Sequence, residues 1–518
     1  MEKSADAISM SKTSYYSGRK VRASMWHYLL GRGMTAIVSF TVAILLVRIL
    51  PVETYGAYTA LTGLLVTLGI ISDGGLDRVI PKFLPALRTQ RAEAQLAGLS
   101  WKLLGLRAIF IGVALIPILL FSDSISGFLS LDNHSNVIWP FALYIFLACI
   151  AVHLSRTLQA LLLQRNATRA MALEWLTKLA ALLLILALMG GLSLMQVVRV
   201  QTIAVSLAAL YMLVILHAHL GLFKSTDTAA KRFDISPARL WRFGWHNYLP
   251  NLIGLIVSSN TMKLISAAYL GSIQTAALGF AFAITGMMRN YLPAILMLGL
   301  IEPVFMARYA ERREFSTLNE MGSIIVKINL FVLAPATVWL ALCGAPVIDF
   351  ITAGKYTNTV WLLTGLMVSL MFYSHGLVLK LILNAVEESW LLLVANLWAS
   401  LAGMLQIAAM LLYGLPGMLA GILLIAWFEN VYIVKRLRAK NHPYHPHWQG
   451  IVRIMVLALA SGILGASITL LIPGLIGSLL AGLATVGLFL LFGYLWKPFL
   501  PSERALLNRF IGRNWIVW

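Results

Sequence analysis

The chain has 518 residues, 60% of them hydrophobic and 12% charged, a balance far outside that of soluble globular domains. Forty Lys and Arg against 20 Asp and Glu give a formal net charge of +20, which in a soluble protein would point to nucleic acid and here must first be set against membrane topology. Cys149 and Cys343 both lie in apolar surroundings and imply neither a disulfide framework nor a metal motif.

Residues 1–25 form a polar, basic segment. The apolar run that follows is too long for a signal-peptide core and lacks a small-residue cleavage pattern, so it is expected to stay as the first helix. Stretches long enough to cross about 30 Å of hydrocarbon then recur to the end of the chain. They predict helices at 26–50, 56–80, 99–121, 137–161, 171–190, 195–222, 243–269, 276–302, 322–344, 358–383, 389–412, 415–434, 453–472 and 474–496. The fold class is therefore an all-α polytopic membrane protein with about 14 transmembrane helices. A polar stretch, KSTDTAAKRFDISPARLWR, separates six helices from eight. The first helix exits through ILPVETYGAYTA and the seventh through YLGSIQTAALGFAFA, a weak internal echo of the kind seen in alternating-access transporters built from repeats. The organisation read from this is an N-lobe at 26–222, a linker at 223–242 and a C-lobe at 243–434, with a loop, two extra helices and a tail at 435–518.

Basic residues concentrate in alternate loops: Lys82, Arg88 and Arg91; Arg165 and Arg169; Lys224, Lys231, Arg232 and Arg239; Arg308, Arg312 and Arg313; Lys435, Arg436, Arg438 and Lys440. The opposite loops hold little beyond Lys355. Loops retained in the cytoplasm carry the excess of Lys and Arg, so both termini are expected there, and the positive charge reads as topology rather than nucleic-acid binding. The outward loops are short, which disfavours a membrane glycosyltransferase or polymerase. The string AGKYT (353–357) lacks the upstream glycine of a phosphate-binding loop. NHPYHPHW holds His442, His445 and His447 but reads as a plain flexible connector. The C-terminal SERALLNRFIGRNWIVW suits a helix lying on the inner leaflet.

An ionisable side chain near a bilayer centre costs about 3 kcal/mol, so its position decides its interest. Arg107, Arg156, Lys178 and Lys380 lie near cytoplasmic helix ends, within reach of the headgroups. Arg289 falls midway along the eighth predicted helix, beside Asn290 and ahead of Pro293. Lys263 lies in the outer third of the seventh, in a polar stripe with Ser259 and Ser266. Arg32 lies between Gly31 and Gly33 in the first helix, and Arg48 at its outer end fits a cavity site and a headgroup anchor equally. The two are about 160° apart on a straight helix and do not point into one cavity. Deep positions are thus cationic, whereas Glu174, Glu302, Glu387, Glu388 and Glu429 cluster toward cytoplasmic ends. Such cations at successive depths suit a diphosphate. In ISDGGLDRVIPK, Asp73 and Asp77 share a face at the cytoplasmic mouth of the second helix. They are read as holding basic neighbours from the first and third helices at an inner gate, with proton or sodium coupling as the other role open to a carboxylate there.

The helix count, the linker after the sixth helix and above all ILPVETYGAYTALTGLLVTLGIISDGGLDRVIPKFL (49–84) resemble the Wzx-type polysaccharide transporters of the multidrug/oligosaccharidyl-lipid/polysaccharide superfamily. The resemblance implies two six-helix bundles facing across a central cavity, plus two C-terminal helices. It implies a flippase, not an enzyme, that carries an undecaprenyl-diphosphate-linked oligosaccharide across the bacterial inner membrane for export of a surface polysaccharide such as O-antigen or exopolysaccharide. No cofactor is implied, and the partners would be membrane lipids and the polymerase and co-polymerase of the same pathway. Arg32, Arg289, Lys263 and Arg48 would then bind diphosphate. The acid-base pair frequent in the family's seventh helix is Met262-Lys263 here, keeping the cation without the acid. An ion-coupled multidrug antiporter of the same superfamily is the alternative.

Overall fold

The computed structural model describes residues 18–89, 92–221, 236–296 and 314–511, with no strand among them. In hydrocarbon every backbone polar group needs a partner within the protein, and a chain this apolar meets that demand with helices. They are α1 (Gly18–Ile49), α2 (Val52–Ile71), α3 (Leu76–Thr89), α4 (Glu93–Leu120), α5 (Ile138–Ala160), α6 (Gln164–Met189) and α7 (Leu194–Gly221). Beyond residues 222–235, which lie outside the described residues, come α8 (Pro237–Gly254), whose start takes up the last part of the linker expected at 223–242, α9 (Ser259–Tyr269), α10 (Gly271–Asn290), α11 (Phe315–Cys343), α12 (Val360–Ala385), α13 (Ser389–Ala439), α14 (Trp448–Ala466), α15 (Gly474–Trp496) and α16 (Pro501–Ile511). Among the described residues eleven helices are long and apolar enough to cross a membrane, or twelve if the broken pair α8–α9 is one span. The expectation of about fourteen differs at identifiable places. The described apolar part of α1 is the shorter Thr35–Ile49. By contrast, the predicted helices 389–412 and 415–434 are separated as expected within α13: Gly414, with φ 66° and ψ −147°, breaks the helix, and a Cβ at Gly417 would lie 2.0 Å from the Ala409 carbonyl oxygen, so the chain turns back on itself there. The second predicted helix stops at Ile71, and the stretch expected to be a basic loop is the helix α3.

The described chain groups into two compact units. One holds the residues up to Leu50 and Leu64–Leu252, and the other Pro51–Gly63 with Ile253–Trp518. In the second unit, small residues let the start of α2 press onto α9 and α10, as is usual where membrane helices meet without a hydrophobic driving force. A Cβ added at Gly56 would lie 2.1 Å from the Ser272 carbonyl oxygen, and one at Gly279 would lie 2.0 Å from Thr59 Oγ1.

The core of the second unit is built on α11. Its Leu318, Val326, Leu330 and Ala334 pack with Val378 and Ile382 of α12, Ile454 and Ala458 of α14 and Phe489 of α15. At one end of this core α16 docks. Glu503 of α16 and Lys327 of α11 are 1% and 0% exposed at their side chains, and Nζ donates to both carboxylate oxygens at 2.8 and 2.7 Å. The same ammonium is 2.6 Å from His447 Nδ1. The tail helix is therefore seated in protein by an ion pair, with Leu507 packed near Ile324 and Phe499, a contact that a sequence-only reading of a lipid-lying helix did not anticipate. The His-rich segment is likewise strapped down rather than a flexible connector. Asn319 Nδ2 donates to the His445 carbonyl and Asn319 Oδ1 accepts from His445 N–H. His447 N–H donates to Ser323 Oγ, and the His442 ring stacks on Phe315. No group of three or more potential ligands is placed to hold a metal among the described residues.

Removing one partner from a buried pair strands the other charge, at a cost of about 3–5 kcal/mol. Lys327→Met should therefore lower the unfolding temperature of the purified protein clearly, and adding Glu503→Leu should recover most of the loss; a double variant as unstable as the single one would contradict the pairing. Burial, together with the nearby Lys327 and Arg453, holds the His447 imidazole below its usual pKa despite Glu503. A histidine kept neutral by the fold contributes stability above about pH 6.5 and loses it as pH falls, because the unfolded chain takes up the proton first. The wild type should lose thermal stability between about pH 7 and 5.5 more steeply than His447→Gln.

Candidate functional site

The turn between α2 and α3 organises the polar interior of the first unit. Gly74 and Gly75 have φ of 57° and 84°, and a Cβ at Gly75 would lie 2.4 Å from the backbone of Gly244 in α8. Only glycine meets both the left-handed conformation and the close approach. Asp73, 6% exposed, accepts from Gly75 N–H at 3.2 Å and from Asp77 N–H at 3.1 Å, so it satisfies free donors at the start of α3. Arg107 of α4 stands 3.8 Å from Asp73 and donates to the Gly69 carbonyl at 3.0 Å. Asp77 pairs with Arg156 of α5, and Tyr248 of α8 donates to the Ile71 carbonyl at 2.7 Å. The two aspartates do hold basic neighbours, from α4 as expected and from α5 in place of the first helix.

In the second unit the cations sit where helices break. The seventh predicted helix is interrupted after Gly254, and α9 starts afresh with Ser258 Oγ accepting from Thr261 N–H. Thr261 Oγ1 donates at 2.5 Å to the Leu255 carbonyl, which also accepts from Ser258 N–H at 3.0 Å. Lys263 is in the second turn of α9, half-buried. The expected stripe divides here, because Ser266 is fully buried and accepts from Thr275 Oγ1 across the α9–α10 contact at 3.0 Å. Arg289 is in the last turn of α10, exposed, with its guanidinium 5.9 Å from the Tyr373 ring of α12; helix resumes at Pro293–Leu296, and the rest of the predicted helix 276–302 lies outside the described residues. A cation there also suits the negative end of the helix dipole. Past the break, Ala294 N–H donates to Asn329 Oδ1 at 3.1 Å, while Asn329 Nδ2 donates to Ser374 Oγ at 2.6 Å. Counted along the α9–α10 hairpin at 1.5 Å per residue, Lys263 is about 10 Å and Arg289 about 27 Å from the Leu270–Gly271 turn. The two cations therefore lie at different depths.

Arg48 is exposed near the end of α1. Arg32 is on the same helix, with its side chain outside the described residues, as are Glu302, Arg308, Arg312 and Arg313 and the linker cations Lys224, Lys231 and Arg232. The four cations expected to reach for headgroups each have an acid instead. Besides Arg107 with Asp73 and Arg156 with Asp77, Lys178 pairs with Glu174 one turn away and Lys380 with Glu429 of α13. Spacing of four residues made the Lys178 pair legible in sequence; the other three acids come from distant segments.

The family model for polysaccharide biosynthesis proteins matches residues 21–307, more than half of the chain, and the chain belongs to this family. It shares its fold with the lipid II flippase MurJ in an inward closed conformation, with a TM-score of 0.63 and 14% identity over 94% of this chain and 99% of that one. An inward-facing multidrug resistance MATE transporter of the MOP superfamily aligns with a TM-score of 0.58 and 16% identity over 78% and 99%. A mutant of the Vibrio cholerae MATE transporter VcmN aligns at 0.54 and 14% over 83% and 99%. No curated protein matches by sequence. The chain is thus a multi-pass membrane protein of the polysaccharide biosynthesis family, with the fold of flippases and transporters of the MOP superfamily, as the sequence resemblance implied. The solved structures that share this fold are a flippase and transporters.

The two aspartates differ in what their loss should cost. Asp73→Asn leaves the buried Arg107 without its counter-charge and should destabilise the protein by about 3 kcal/mol or more, whereas the Asp77–Arg156 pair is half exposed and Asp77→Asn should cost within about 1 kcal/mol. Thermal unfolding of the two variants in one detergent would show it; equal losses would contradict the assigned roles.

Proposed function

We propose that this protein is a flippase that moves an undecaprenyl-diphosphate-linked oligosaccharide from the cytoplasmic to the outer leaflet of the bacterial inner membrane by alternating access. In this reading both termini are cytoplasmic, in line with the loop charge. The observation that carries it is the sign of the charge left over after pairing. Asp73, Asp77, Glu174, Glu429 and Glu503 are matched by Arg107, Arg156, Lys178, Lys380 and Lys327. Lys263 and Arg289 have no acid partner among the described residues and sit at different depths of one helical hairpin. A diphosphate offers several anionic oxygens to such donors.

In the proposed cycle Arg32 and Arg289 capture the diphosphate from the cytoplasmic leaflet, Lys263 and Arg48 receive it as the outer side opens, and the prenyl tail stays in lipid. Asp73 and Asp77 fasten the inner side of the first unit, with coupling to a proton or sodium ion as a further role of Asp73. The fold is shared with multidrug transporters, yet a pathway for cationic drugs calls for free acids in the interior, and Asp73, Asp77, Glu174 and Glu429 are each paired.

Arg289→Ala should reduce polymer export at least about tenfold in a strain that depends on this protein, as expected when a charge-assisted contact to the cargo is lost. The variant should still be inserted at wild-type levels. Normal export with Arg289→Ala would remove the site assignment. Intact surface polysaccharide in a deletion strain that has become drug-sensitive would favour the antiporter.

A further inference from the structure

Lys380 and Glu429 form a pair of a different kind from Lys327 and Glu503. Nζ is 2.9 Å from Oε1, but the side chains are 36% and 17% exposed. Oε1 is shielded from solvent and yet receives no aligned hydrogen bond, so charge alone holds it. The buried pair, by contrast, is hydrogen-bonded at both oxygens and sealed. Half-exposed pairs contribute about 0–1 kcal/mol and exchange partners readily.

The neighbourhood gives this loose pair a direction. Lys380 lies seven residues beyond Tyr373 on α12, two turns on along one face and about 10 Å away. Tyr373 is 40% exposed and carries the Arg289 guanidinium over its ring. Asn430, next to Glu429, donates to the Phe372 carbonyl at 2.9 Å and so fixes α13 beside this face. One face of α12 thus presents Arg289 and, two turns further on, an ammonium held by a single carboxylate.

We infer that Lys380 is a further ligand for the anionic head of the cargo and that Glu429 sets its specificity by occupying the ammonium until a more highly charged anion displaces it. The inference rests on the flippase reading. Lys suits the role because its ammonium is a compact charge with three donors on a flexible stem, able to swing from one partner to another. A phospholipid headgroup with one negative phosphodiester offers no more charge than the carboxylate already in place. A diphosphate offers more, and reaches Arg289 through the same head. The pair would thus reject bulk lipid and admit the diphosphate, a repulsive element of the kind specificity requires.

The test is equilibrium binding of radiolabelled farnesyl diphosphate to the full-length protein in detergent, with phosphatidylglycerol as competitor. Lys380→Met should weaken binding at least about fivefold and Lys380→Arg should stay within about twofold, since the charge-assisted contact is lost in one and kept in the other. Glu429→Gln should bind farnesyl diphosphate more tightly and make phosphatidylglycerol about tenfold more effective as competitor. The charge exchange Lys380→Glu with Glu429→Lys should keep the unfolding temperature yet leave binding weak, because the cation has moved to α13. Wild-type affinity in Lys380→Met, binding restored by the charge exchange, or unchanged competition in Glu429→Gln would each overturn the inference while leaving the flippase reading in place. Absence of binding by the wild type would overturn both.

Discussion

A charge in hydrocarbon has to meet an opposite charge, water or a ligand, and this chain is arranged around that constraint. It places acids in or beside its spans at Asp73, Asp77, Glu174, Glu429 and Glu503, and each has a basic partner. The pairs differ in tightness: Lys327 and Glu503 are sealed within the second unit, whereas Arg156 with Asp77 and Lys380 with Glu429 are partly open. Tight pairs hold helices together, as the Glu503 contact holds α16. A loose one is available to something else.

The second constraint is the backbone. At three breaks the backbone finds a specific side chain. Asp73 serves the Gly74–Gly75 turn, Ser258 and Thr261 serve the break before α9, and Asn329 serves the one after α10. Interrupted helices inside a membrane protein persist only where protein or a watery passage satisfies them, and in transporters they mark places where cargo or ions are handled. Lys263 and Arg289 each flank such an interruption, which links the charge argument to the backbone one.

Much of the fold was legible from apolar run length alone, because hydrocarbon permits little besides helices. The interruption at Gly414 was legible in the sequence, but those after Gly254 and Asn290 were not. The break after Gly254 falls inside a continuous apolar run and depends on how Ser258 and Thr261 fold back. Arg289 reads as mid-helix until α10 ends at Asn290, ahead of the conspicuous Pro293. In contrast, ISDGGLDRVIPK announced its turn through adjacent glycines, and its aspartates read as holding basic neighbours, of which Arg107 came from the expected helix and Arg156 from α5 in place of the first. Partner identities were another matter: that Arg107, Arg156 and Lys380 meet acids rather than headgroups follows from tertiary packing, which carries no local sequence signal. The same holds for Lys327, whose acid lies 176 residues away.

The central claim is that Lys263 and Arg289, which have no acid partner among the described residues, await an acidic head. Proteoliposomes containing the purified protein, loaded with a fluorescent prenyl lipid bearing an oligosaccharide through either a diphosphate or a neutral ether link, test it most directly. The account predicts rapid leaflet exchange of the diphosphate lipid and exchange of the neutral lipid no faster than in empty vesicles. Equal movement of the two lipids would contradict it.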